Sequence, residues 1–145
     1  MPHQVISTGC NSDLHGKLWT GNDPPHAVLI VIHGLGDHSG RFAEVAEAIC
    51  NREGTSAEQE QRTWAVFAFD LPGHGMSPGK PGGTVNFDSL LREISAACQT
   101  MTDRFGDLPQ VLMGHSMGGN LAINHLLRSH TPPSKTKHLS GLVLC

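Results

Sequence analysis

The chain has 145 residues, enough for one domain with a core of its own, and its composition is that of an ordinary globular protein, 38% hydrophobic and 16% charged, with a net charge of −3 when histidines are neutral. No basic block is present, so nucleic-acid binding lacks electrostatic support. The longest apolar run, Ala27–Ile32, has six residues; a membrane helix needs about 20. Met1–Cys10 has no charged start followed by an apolar stretch, so no signal peptide is expected.

Gln4–Thr8 and Leu14–Trp19 read as a hairpin around an Asn11-Ser12-Asp13 turn. Asn22-Asp23-Pro24-Pro25 breaks the chain, and Ala27–Ile32 follows as a continuous β-branched run. Such a run suits a strand buried on both faces of a parallel sheet. Phe42, Val45, Ala46, Ile49 and Cys50 then repeat with helical spacing, with Ser39 as the expected N-cap. Residues 51–62 are polar and read as surface. Trp64–Phe69 is a second apolar strand, followed by a Gly/Pro-rich loop from Leu71 to Gly83. Phe87, Leu90, Leu91, Ile94, Cys98, Met101 and Phe105 share one helix face, with Asn86 as its cap. Pro109 precedes a third strand, Gln110–Met113. Gly114–Gly119 turns the chain into an apolar helix, Leu121–Leu127, and Pro132-Pro133 ends it. Ser140–Cys145 begins a fourth buried strand. Strands alternating with amphipathic helices imply βαβ crossovers and a mostly parallel sheet.

Cys10, Cys50, Cys98 and Cys145 form no C-x-x-C pair, so reduced and mostly buried thiols in a cytoplasmic protein are expected.

Gly114-His115-Ser116-Met117-Gly118 matches G-x-S-x-G directly after an apolar strand and before a helix, the setting of a nucleophile elbow. The sharp bend forces the serine into a strained conformation, and Gly114 and Gly118 leave room for it. The hydroxyl then projects above the sheet, and the helix aims its first amides at the same point. His33-Gly34-Leu35-Gly36 follows the first apolar strand, where this architecture supplies a second oxyanion donor. The expected pair of donors is the backbone amides of Leu35 and Met117.

Three segments, His33 to Phe42, Asp70 to Ser77 and Gly114 to Gly119, together resemble the α/β-hydrolase superfamily in its monoacylglycerol lipase and lysophospholipase branch of serine aminopeptidase-like hydrolases. The resemblance covers nearly the whole chain. It implies an α/β-hydrolase fold and an acyl-enzyme mechanism on fatty-acid esters, with Ser116 as nucleophile and Leu35 and Met117 at the oxyanion hole. It makes Asp70–Ser77 a structural loop and His115 a packing residue. No cofactor and no metal are implied. The implied partner is a lipid or other small ester, with room for peripheral membrane contact by a cytoplasmic protein.

The chain departs from this pattern after Ser116. The triad in this fold runs serine, acid, histidine in chain order, yet no Asp or Glu follows Ser116. His125, His130 and His138 do follow, but none sits after a later strand end, and ordinary surface or packing roles are expected for them. The expectation is therefore that residues 1–145 form the N-terminal part of a single α/β-hydrolase domain. It would be truncated after the strand that follows the nucleophile helix, without lid, acid or base. The unpaired edge of that strand predicts self-association.

Three other readings remain. One is hydrolysis of an amide, lactone or C–C bond on the same elbow. Another is an inert fragment or pseudoenzyme that only binds. The third, nucleotide binding, fails on spacing, because Gly40 falls one residue late for G-x-G-x-x-G. His33, Asp37, His38 and His74 suggest a lined pocket rather than metal ligands.

Overall fold

A computed structural model describes residues 3–8, 13–51, 63–83, 86–129 and 139–145. The expectations for Cys10, Asn11-Ser12, most of the polar stretch after Asn51, His130, Pro132-Pro133 and His138 lie outside these residues. The strands are β1 (Gln4–Ser7), β2 (His15–Thr20), β3 (Ala27–Ile32), β4 (Trp64–Phe69), β5 (Gln110–Gly114) and β6 (Gly141–Leu144). The helices are α1 (Ala43–Cys50), α2 (Phe87–Phe105) and α3 (Met117–Ser129), with a 3₁₀ turn at Ser39–Phe42 before α1.

The strands form one sheet in the order β1-β2-β4-β3-β5-β6. β3 to β6 run parallel, and the β1–β2 hairpin is added antiparallel to β4. Strand periodicity explains why β3 and β4 are apolar throughout. Val28, Ile30, Ile32, Ala65, Phe67 and Phe69 point to one face, where they pack with Leu91, Ile94, Ala97 and Met101 of α2 and Leu121 and Ala122 of α3. Leu29, Val31, Val66 and Ala68 point to the other, where they meet Trp19, Phe42, Ala46 and Cys50. The chain leaves β3 for β4 through α1 and returns across β3 to β5 through α2. The winding therefore reverses at β3 and β5, and ligands bind open parallel sheets beyond the carboxyl ends of strands at such a reversal.

Several expectations need correction. Ser39 is not an N-cap: the His38 side chain caps the 3₁₀ turn by accepting from the Gly40 amide, and the Ser39 amide donates instead to Asp70. The nucleophile helix starts at Met117, not Leu121, because Gly118 and Gly119 are helical and serve close packing rather than a turn. The last strand is not buried: β6 is the sheet edge, with Val143 45% and Leu144 50% exposed. Of the described thiols, Cys50 is buried, Cys98 is half-buried and Cys145 is exposed. Asn86 does cap α2, accepting from the amides of Asp88 and Ser89.

Candidate active site

The carboxyl ends of β3 and β5 lie side by side, with Ile32 opposite Gly114. Just beyond them the chain makes two tight bends, His33–Gly36 and His115–Met117. Ser116 has φ = +53°, a left-handed conformation that costs a non-glycine residue on the order of 1 kcal/mol or more. The surrounding bonds hold it there. Its amide donates to the Cys145 carbonyl at 2.9 Å, the His115 amide to Ile32, and the Gly118 and Gly119 amides close the first turn of α3 on His115 and Ser116.

Both elbow glycines are sterically required. A Cβ on Gly114 would lie 2.4 Å from the Gly118 carbonyl oxygen, and one on Gly118 would lie 2.1 Å from that of Ile32. Either contact would push the bend apart. Ser116 itself is exposed. Its hydroxyl has no protein hydrogen-bond partner among the described residues.

Gly34 faces the elbow closely: its Cα hydrogen side lies where a Cβ would come within 3.3 Å of the Ser116 Cβ and of His115. Gly36 takes φ = +72° to turn the loop away, and Leu35 is 72% exposed. The amides of Leu35 and Met117 donate to no protein acceptor among the described residues. The expected residues Ser116, Gly34, Gly114, Gly118 and Met117 are thus gathered at one end of β3 and β5, with Leu35 next to them in the chain.

Asp70 and His33, to which the sequence assigns no individual role, each follow directly on a buried strand. Asp70 is 1% exposed and accepts from the Ser39 amide at 2.6 Å, the Met76 amide at 2.9 Å and the His15 ring at 3.2 Å. Burial pushes its carboxyl up, but the Met76 and Ser39 amides and His15 outweigh that, and the net displacement is downward. It ties the loop after β4 to β2 and to the 3₁₀ turn. His33 is 1% exposed, and burial lowers its imidazole below the ordinary value of 6.5, with His74 adding to the effect and the Gly34 carbonyl opposing it. His125 on α3 is also buried and lowered for the same first reason.

The residues weighed as a metal set have other partners. His33 binds Leu71 and Gly34, Asp37 lies 3.5 Å from Arg41, His38 caps the 3₁₀ turn, and His74 contacts the Pro72 carbonyl. No helix among the described residues is long and apolar enough to cross a membrane.

A family model described as "Serine aminopeptidase, S33" matches residues 23–145. The chain belongs to this S33 family of α/β-hydrolases. Among its relatives, the monoglyceride lipase of Homo sapiens is 32% identical over 99% of this chain. Phospholipase YtpA of Bacillus subtilis is 30% identical over 88% of it. The chain spans 42% and 43% of the lengths of these two relatives. The crystal structure of a thermostable carboxyl esterase from Bacillus coagulans superposes with a TM-score of 0.74 at 23% identity, covering 100% of this chain and 44% of the esterase. That likeness is one of fold.

Proposed function

We propose that this chain carries the nucleophile and oxyanion hole of a serine hydrolase acting on carboxylic esters. The supporting observation is the strained, exposed Ser116 at the β5–α3 bend, beside the unpaired amides of Leu35 and Met117. Ser116 Oγ attacks the ester carbonyl carbon, and the carbonyl electrons move onto an oxygen held by the two amides. Collapse of this intermediate breaks the carbon–alkoxy bond, and the leaving alcohol takes the serine proton. Water then adds to the acyl-enzyme, releasing the carboxylic acid and returning a proton to Ser116. The names of the relatives point to monoacylglycerol or phospholipid esters. Exposed Leu35 and Met76 suit a lipid substrate and peripheral membrane contact by a cytoplasmic protein.

Within these 145 residues no carboxylate follows Ser116 that could serve as a triad acid and orient a base. Without them about 1000- to 10,000-fold acceleration over water remains for an oxyanion hole and binding alone. The missing carboxylate also favours a second reading, in which this polypeptide binds lipid esters without turnover.

Treatment with a fluorophosphonate separates the two. Slow labelling that disappears in Ser116→Ala is expected. A folded chain that stays unlabelled supports binding alone. With the full catalytic complement, monoacylglycerol turnover well above aminoacyl-amide turnover is expected; the reverse order would identify a peptidase.

A further inference from the structure

We propose that His33 is a positioning residue, whose Nδ1–H holds the Gly34 carbonyl and thereby turns the Leu35 amide toward Ser116. The inference rests on the serine-hydrolase reading for its chemical purpose, though not for its geometry.

The ring's partners fix its tautomer. The Leu71 amide donates to Nε2 at 2.9 Å, so Nε2 carries no proton. The single proton of the neutral ring is then on Nδ1, which lies 2.7 Å from the Gly34 oxygen, an acceptor. Both ring nitrogens are satisfied in a site that is 1% exposed. Burial, which disfavours the cation, keeps the ring in this form.

The Gly34 carbonyl and the Leu35 N–H belong to one planar trans unit and point in opposite directions. Holding the oxygen to the ring therefore directs the N–H away from it. A Cβ on Gly34 would meet His115 and the Ser116 Cβ at 3.3 Å, so the 34–35 peptide begins in contact with the elbow. The same oxygen also accepts from the Asp37 amide at 3.3 Å, which closes the turn; the bond to His33 is the shorter. The ring's other end is anchored by Leu71, fully buried, next to Asp70 and its three donors. The 34–35 peptide, held by the Asp37 amide within its own turn, is thus also referenced to the β4 end of the sheet.

The test uses two substitutions that each keep one half of the ring's function. An asparagine amide reaches about as far as Nδ1, and a glutamine amide about as far as Nε2. His33→Asn retains the donor to Gly34 and loses the acceptor for Leu71; His33→Gln does the opposite. The full chain, isotopically labelled and weakly aligned, reports the Leu35 N–H direction through its residual dipolar coupling. The wild-type value is expected in H33N and a changed or averaged value in H33Q. Fluorophosphonate labelling of Ser116 is expected to be about tenfold or more faster in H33N than in H33Q, a loss of the kind seen when an oxyanion donor is misplaced. A Leu35 coupling unchanged in H33Q, or lost equally in both variants, overturns the proposal. Should either variant fail to fold, the ¹⁵N shifts of the wild-type ring decide: a protonated Nδ1 with a bare Nε2 supports it, and the opposite tautomer refutes it. Absence of labelling in the wild type, with the coupling pattern as expected, would count against the hydrolase reading and leave the positioning of Leu35 standing.

Discussion

At Ser116 the cost of one unfavourable dihedral is met by the glycines around it. Gly118→Ala places a methyl 2.1 Å from the Ile32 oxygen, so the usual gain of about 1 kcal/mol for alanine in a helix is overwhelmed. A net loss of about 1–3 kcal/mol is expected in urea unfolding; an unchanged or higher midpoint would show that the bend has more room than described. The buried histidines give a second expectation. His33 is faced by His74, Asp70, Asp37 and the Gly34 carbonyl, and His125 packs near Leu91; both are lowered from 6.5 in the folded chain. The unfolded chain therefore takes up protons first as pH falls. Stability is full above about 6.5 and declines below it, by up to about 1.4 kcal/mol per pH unit for each ring, until the folded-state values are reached. Urea midpoints at pH 7.5 and 5.5 measure this, and equal midpoints would contradict it. The serine and its glycines were legible because they are adjacent in sequence. The role of His33 was not, because it is set by Leu71, 38 residues away.

Among the elements, those with a strong period were read well and those set by tertiary partners were not. β3, β4 and α2 follow from six-residue apolar runs, a helical stripe and the Asn86 cap. Ser39 looked like a cap in sequence, but its amide serves Asp70, and His38 takes over the capping. Phe87 was placed on the core face of α2, yet it is 39% exposed and lies under Arg128 of α3. The loop from Asp70 to Ser77 depends on one carboxylate. In Asp70→Asn a donor replaces an oxygen that faces amide and imidazole donors, with an expected loss of about 2–3 kcal/mol at neutral pH. Because the Asp70 carboxyl is held below its ordinary 3.8, its stabilisation is present above that value and fades as pH falls through the folded-state value. The wild-type advantage over D70N should accordingly shrink in strong acid. A D70N chain as stable as wild type at pH 7 would remove Asp70 from this role.

For the molecule as a whole, the mostly parallel sheet was foreseen from alternating strands and helices; its strand order, and the winding reversal that places the site, came only with the structure. The β6 edge, with Val143 and Leu144 about half exposed, predicts that the 145-residue polypeptide associates as concentration rises. Sedimentation velocity should show dimers or larger species, diminished in Val143→Lys; a monomer at all concentrations would mean that this edge is well tolerated. The hydrolase reading requires an oxyanion to sit between the Leu35 and Met117 amides. A crystal structure of the chain phosphonylated at Ser116 measures this directly. The phosphoryl oxygen is predicted to lie within about 3.1 Å of both the Leu35 and Met117 amide nitrogens. An adduct whose oxygen points to solvent, or an adduct on another residue, would contradict it.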